Sequence, residues 1–327
     1  MDKKICKVWL TEIDLFRYSN PIHAIRMHEK SSKCGTIVKR KNSNKIYKFQ
    51  LYPLPHATTY MEADLHTPVN DFCFGTDLAL FAGPRFKGGS PLSPLFLPLD
   101  RPSGDVRILN VRDFPQSDAL RVEVACEHEK YVAFAHRNGH VSLLDLRQSQ
   151  ICCGILMHGK ELGSATDLAF LSSSTSTTHL LVKRSFGSTQ FHDIRKLSKS
   201  STSVIYDLKV PCSQLHKTLS ANCNGLAVDP MTQQNLVAPY LNQQYEPCLG
   251  IWSMRTGDMV GHKILAKNPE KDVIFTELCQ RTTPGYNARG RPSSTFGIWL
   301  KSGRFSKSKI DSRAGSLHHI SFPGKWE

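Results

Sequence analysis

Apolar residues along this chain fall in short runs that alternate with polar ones at a period of two, and a sustained helical period is absent throughout. The clearest stretch is Val132 to Arg147, VAFAHRNGHVSLLDLR. It reads as an apolar strand, a tight turn holding Gly139, a second strand with Val141 and Leu143 on one face, and a closing Asp-x-Arg. Leu180 to Arg195, LLVKRSFGSTQFHDIR, repeats it over sixteen residues without a gap, with Gly187 at the turn and Thr189 and Phe191 on the shared face. A glycine at each turn supplies the left-handed backbone that a hairpin needs.

Weaker copies flank this pair. Ser103 to Arg112 reads as the same second strand, with Asn110 in the Asp position. Cys248 to His262 places Trp252 at a strand end, followed by Arg255 and a Thr-Gly turn. Thr36 to Leu51 has the strand–turn–strand pattern without Asp-x-Arg, and Phe296 to Ile310 reads as a last copy. The arginines at 112, 147, 195 and 255 stand 35, 48 and 60 apart, which brackets the roughly 40–45 residues of a four-stranded propeller blade. Apolar strands at Asn70 to Phe74, Leu120 to Ala125, Ala165 to Phe170 and Asn224 to Val228 each precede a hairpin, as a first blade strand should. Ser172 to Thr178, Ser198 to Ser203 and Asn287 to Ser294 read as loops. The expectation is an all-β, single-domain propeller over residues 1–327, with six to seven four-stranded blades. Six are traced, roughly 1–52, 61–112, 113–147, 158–195, 218–255 and 280–320; a seventh, or closure by a terminal strand, stays open.

The hairpins ending in Leu-Asp-Leu-Arg and His-Asp-Ile-Arg resemble WD repeats, with Trp-Asp replaced by Leu144-Asp145 and His192-Asp193, and by Trp252-Ser253 in the third copy. The stretch from about Phe134 to His262 resembles one family, the DDB- and cullin-4-associated factor 4 group, also called WD repeat protein 21. The shared texture is Phe-Ala-His-Arg-Asn-Gly (134–139), Leu-Leu-Asp-Leu-Arg (143–147), Leu-Met-His-Gly (156–159), Ser-Ala-Thr-Asp-Leu-Ala-Phe-Leu (164–171), His-Asp-Ile-Arg (192–195) and Ile-Trp-Ser-Met-Arg (251–255). The resemblance implies a substrate receptor of a cullin-4 RING ubiquitin ligase, contributing recognition and no chemistry. Its Asp-x-Arg boxes on two successive blades would face the DDB adaptor. Carried onto this chain, those adaptor-binding residues are Asp145 with Arg147 and Asp193 with Arg195. The implied partners are the DDB adaptor, the cullin-4 ligase and a protein substrate. This chain departs from the pattern in lacking the usual Trp in both boxes and the Asp of the third copy, and the family is longer at its N-terminus. Two readings of Asp145 and Asp193 stay open: docking elements, or carboxylates that only cap a turn inside a blade.

Composition adjusts this picture modestly. Hydrophobic residues make up 40% of the 327, enough for a sizeable core. The net charge of +14 keeps a second reading in play, a basic scaffold for RNA, chromatin or an acidic protein. The densest basic clusters are Lys39 to Lys41 with Lys45 and Lys48, and Arg304 to Arg313; both are short, with few aromatics between, and read as solvated hairpins. The ten cysteines form no C-x-x-C pair and no glycosylation sequon occurs, so thiols in an intracellular, nuclear or cytoplasmic, protein are expected. Neither a membrane span nor a signal peptide is expected.

Enzyme signatures are missing. His128-Glu129 lacks the second His of a zinc-protease helix, and His318-His319 has no spaced partner. His158 and His262, each beside a glycine, read as structural histidines bonding within a blade. There is no nucleophile elbow, phosphate-binding loop or dinucleotide fingerprint, so no catalytic residue, metal or cofactor is assigned.

Overall fold

The computed structural model describes residues 22–28, 33–39, 47–53, 61–83, 94–100, 105–125, 130–148, 154–156, 163–172, 177–184, 188–196, 204–209, 226–228, 235–241, 247–264, 273–280, 285–286, 292–306 and 309–323. Among them are six four-stranded antiparallel sheets in chain order. The first three are β1 (Ile22–His28), β2 (Lys33–Lys39), β3 (Tyr47–Pro53) and β4 (Met61–Leu65); β5 (Asp71–Phe74), β6 (Leu78–Ala82), β7 (Leu95–Pro98) and β8 (Arg107–Ile108); and β9 (Ala119–Val124), β10 (Tyr131–His136), β11 (Val141–Asp145) and β12 (Gly154–Leu156). They belong to one compact unit, Met1–Met157 with Ser174–Thr177. A second unit, His158–Ser173 with Thr178–Glu327, holds the other three. These are β13 (Ala165–Ser172), β14 (Thr177–Arg184), β15 (Ser188–Asp193) and β16 (Val204–Lys209); β17 (Ala227–Val228), β18 (Asn235–Leu241), β19 (Pro247–Ser253) and β20 (Met259–Ile264); and β21 (Val273–Gln280), β22 (Gly285–Tyr286), β23 (Pro292–Ser306) and β24 (Lys309–Pro323). Among the described residues no helix is long and apolar enough to cross a membrane.

The first five sheets are meanders, each strand pairing with its chain neighbours. Short connections favour that order, because a hairpin joins antiparallel neighbours with little loss of chain entropy. The β10–β11 turn illustrates the local code. Gly139 takes φ of 86°, its N–H donates to the His136 carbonyl at 3.0 Å, and the His136 N–H donates to the His140 carbonyl at 2.9 Å. This is a three-residue loop closed by a left-handed glycine.

Burial differs between strands. Val141, Ser142, Leu143 and Leu144 are all buried, so β11 is covered on both faces and the single-face alternation expected for it is not seen, whereas β4 alternates buried and exposed positions. Within the first unit, Phe49, Phe72 and Phe81 meet edge to face or stacked, Phe49 lying 5.4 Å from each of the other two. Each such pair adds about 0.5–1.5 kcal/mol beyond the area it buries. Gly35 on β2 makes room for them, since a Cβ there would stand 2.8 Å from the Phe72 ring. In the second unit Trp252 on β19 is fully buried among Leu181, Leu236 and Met254. Its indole folds back over Gly250, where a Cβ would come within 2.0 Å of the ring.

The boundaries of the sequence-derived blades shift. Four of them, ending at 52, 147, 195 and 255, were drawn to end after the third strand, but a fourth follows, so Met61–Leu65 belongs to the first sheet and not the second. Ser103 to Arg112, read as a copy of the hairpins' second strand, instead supplies Arg107–Ile108 as the last strand of the second sheet, and both residues are exposed. Of the last copy, Phe296 to Ser306 lies within the single long strand β23. Ser172, Thr177 and Thr178 belong to β13 and β14, and Pro292 to Ser294 to β23, rather than to loops. The remaining residues of those loops, and the Ser198 to Ser203 stretch, lie outside the described residues.

Candidate functional site

The two Asp-x-Arg boxes occupy the turns that leave β11 and β15, and they are built alike. Asp145 Oδ1 accepts the Arg147 backbone N–H at 3.0 Å and its Nε–H at 2.8 Å, while Oδ2 accepts from Nη2. Asp193 Oδ1 accepts the Arg195 N–H at 3.0 Å and its Nε–H at 2.9 Å, and Oδ2 accepts from Nη2 at 2.8 Å. Each carboxylate therefore caps the turn and grips the fork of the guanidinium at once. Of the two readings left open for these aspartates, the capping one is what these bonds describe.

Exposure divides the labour. The side chains of Asp145 and Asp193 are 18% and 5% exposed, those of Arg147 and Arg195 51% and 66%. The acid is sunk at the strand end and the cation stands in solvent. Among the described residues no hydrogen bond is made by Nη1 of either arginine. The Arg147 fork holds the Asp145 carboxyl below its usual range. Arg195 does the same to Asp193, down to about 2. Both arginines are correspondingly pushed up by their aspartates. At neutral pH each box presents a guanidinium to solvent, a group suited to carbonyls and carboxylates.

An aromatic group completes the first box. Arg147 Nη2 donates to the Tyr131 hydroxyl at 2.8 Å, and its Cζ stands 5.1 Å from the Tyr131 ring centroid. Tyr131 pairs with Asp145 across β10 and β11. The corresponding partner of Asp193 on β14 is His179, whose ring lies 4.9 Å from Phe191. Burial is the main cause that lowers the His179 pKa. Both residues stand one place before the sixteen-residue repeat, so extending that alignment by one position would have found them.

A second correspondence lies deeper in the same hairpins. His136 on β10 is buried and neutral; its Nδ1–H donates to the Ser117 carbonyl at 3.3 Å and its Nε2 accepts from the Ser142 hydroxyl at 2.7 Å. Burial, foremost, brings its pKa to about 4. At the aligned positions Arg184 Nε donates to Gln190 Oε1 at 3.0 Å, also buried. The repeat thus preserves a cross-strand polar pair while changing its chemistry. These, and not His262, are the buried polar links within blades: His262 is exposed on β20. His158 lies outside the described residues.

The third copy keeps the turn and loses the clamp. Ser253 replaces the aspartate, its Oγ accepting the Thr256 N–H at 3.4 Å, and Gly257 at φ 80° closes the turn with its N–H on the Ser253 carbonyl at 2.8 Å. Arg255 is exposed and makes no ion pair among the described residues.

A further cluster escaped sequence reading. Asp71, its side chain 1% exposed, begins the first strand of the second sheet. Its Oδ1 and Oδ2 accept from Arg26 Nη2 on β1 at 3.0 and 2.9 Å. Arg121 Nη1 on β9 stands 3.5 Å from Oδ1, and the Val122 N–H donates to Oδ2 at 3.2 Å. One carboxylate ties the first strands of three sheets.

Of the first basic cluster, Lys48 is paired with Glu62 across β3 and β4, and 40, 41 and 45 lie outside the described residues. Cys34, Cys73 and Cys248 are buried and form no disulfide. Among the described residues no group of three or more His, Cys, Asp or Glu could hold a metal ion.

No family model and no curated protein matches the chain. Solved structures do. It is similar to the β-propeller domain of Cps50 (Swd1) from Myceliophteria thermophila, with a TM-score of 0.57 and 12% identity over 94% of this chain and 88% of that one. Sqt1 from Chaetomium thermophilum gives 0.56 and 13%, over 91% and 72%. A chain of the mitotic checkpoint complex gives 0.51 and 10%, over 86% and 73%. With the six small antiparallel sheets, these likenesses establish an all-β fold of the WD-repeat β-propeller type.

Proposed function

We propose that this chain is a protein-interaction propeller that serves as a substrate receptor of a cullin-4 RING ubiquitin ligase, docking on the DDB adaptor through Arg147 and Arg195. The observation that carries the reading is the shared build of the two boxes: a sunken aspartate presents a preoriented, solvent-facing guanidinium in each. Orientation before encounter lowers the entropy lost on binding, and arginines so held are frequent hot spots of interfaces. A fork with free donors suits the carbonyls and carboxylates of a protein surface. The sequence resemblance supplies the identity of the partner, and the role brings no chemistry of its own. An intracellular location, nuclear or cytoplasmic, goes with it, as does a single propeller domain over the whole chain.

The test is an affinity pull-down from cell lysate with wild type beside an Arg147→Glu, Arg195→Glu double variant. Adaptor and cullin-4 are expected with wild type alone, while both proteins keep the same melting temperature. Recovery of the adaptor with both proteins, or with neither, overturns this assignment of the boxes.

A further inference from the structure

A guanidinium carries five N–H donors in a fixed plane, one on Nε and two on each terminal nitrogen. What each box leaves for a partner follows by subtraction. In the second box Asp193 takes the Nε–H and one hydrogen of Nη2, and among the described residues the Arg195 guanidinium donates nothing further. One hydrogen of Nη2 and both of Nη1 remain. The outer edge of the fork, where Nη1 and Nη2 point the same way, is therefore open on both nitrogens. That edge takes the two oxygens of a carboxylate in parallel bonds.

The first box differs by one acceptor. Asp145 takes the same two hydrogens of Arg147, and the second hydrogen of Nη2 goes to the Tyr131 hydroxyl at 2.8 Å. The phenol oxygen thus occupies the place beside Nη2 that one oxygen of an incoming carboxylate would need. The Tyr131 ring lies by the cation, its centroid 5.1 Å from Cζ, so the hydroxyl cannot step aside without giving up that contact as well. Only Nη1 is left to a partner, and one nitrogen suits one oxygen. Strand register places the difference. Tyr131 stands opposite Asp145, whereas His179 stands opposite Asp193 and packs its ring on Phe191 at 4.9 Å.

We infer that the two boxes are built for different ligands on a partner protein: Arg195 for a side-chain carboxylate held through Nη1 and Nη2 together, and Arg147 for a lone main-chain carbonyl oxygen, with Tyr131 the positioning residue that sets the difference. The inference rests on the reading of the boxes as docking elements and adds to it the chemistry of what each receives. Arg195 then selects for an acidic side chain, and Arg147 registers the partner's backbone whatever its sequence.

NMR of the arginine Nη–H groups in the full chain, titrated with acetate alone, tests this without the adaptor. Arg147→Lys and Arg195→Lys assign the two sets of signals, and sodium chloride at equal ionic strength controls for general screening. Acetate is expected to shift the Arg195 signals with an apparent affinity at least about three-fold higher than those of Arg147, because parallel charge-assisted bonds form at one and not at the other. Tyr131→Phe keeps the ring and removes the hydroxyl. It is expected to bring Arg147 up to the Arg195 value, with an unchanged melting temperature showing that the fold is intact. A role of Tyr131 in packing alone would leave the acetate response of Arg147 where it was. Equal responses of the two arginines in wild type overturn the inference, as do an Arg147 response that ignores Tyr131→Phe and chloride shifts as large as those of acetate. Failure of the docking reading shows elsewhere, as a pull-down that recovers no adaptor while the acetate pattern stands.

Discussion

Two places in this molecule use arginine and aspartate, to opposite ends. At the first strands of the first unit, Asp71 collects Arg26 from 45 residues upstream and the Val122 N–H from 51 downstream, with Arg121 beside it. At the ends of β11 and β15 each aspartate grips an arginine only two residues away. In the first case the carboxylate is sealed in and joins sheets. In the second it is sunk only far enough to aim a cation at solvent. Sequence separation decides which: a distant partner ties elements together, whereas a near one shapes a local surface. Arg255, with Ser253 in place of the acid, gives the baseline, a turn without a grip.

The contrast can be broken first at Asp71. Asp71→Ala leaves two arginines facing an apolar gap, and about 3–5 kcal/mol of stability should be lost, measured by urea denaturation. A loss within experimental error of zero would mean that Asp71 joins nothing. The second test is acid. The folded chain holds His136 neutral down to about 4, whereas an unfolded chain takes up its proton near 6.5. Stability is therefore complete above 6.5 and declines as the pH falls toward 4, by up to roughly 3 kcal/mol at 1.4 kcal/mol per unit. His136→Gln should flatten that slope. The Asp193 fork outlasts this window, because its carboxyl stays ionised until the pH falls through about 2. The smallest effect comes from exchanging the baseline and the box. Ser253→Asp should order the Arg255 side chain and Asp193→Ser should release that of Arg195, each with a stability change below about 1 kcal/mol. NMR relaxation of the arginine Nε–H groups reads both, and unchanged mobility would refute the clamp.

The hairpins β10–β11 and β14–β15 were legible in the sequence because everything that defines them is local: apolar strands, the turn glycine and the Asp-x-Arg end. The inner strands at Phe72, Val122 and Leu168 were legible for the same reason, since burial writes itself into composition. β8 was misplaced because Arg107 and Ile108 are exposed and carry no burial signal. Asp71 was read as part of a strand and no more, since no periodicity connects it to arginines on other sheets. Tyr131 was missed by the width of one alignment position. Both Asp-x-Arg turns could be read at the strand ends from the sequence, but only the structure distinguishes their sunken acids from the looser serine of the third copy.

The stacking of Trp252 on Gly250 has a consequence for how this sequence can drift. The two positions share one volume, so neither can change freely while the other stays. Any side chain arriving first at 250 meets the indole at 2.0 Å and is lost to misfolding. A smaller residue arriving first at 252 opens a cavity that a later alanine at 250 can partly refill. The order of mutational steps therefore matters, and only one of the two paths stays open.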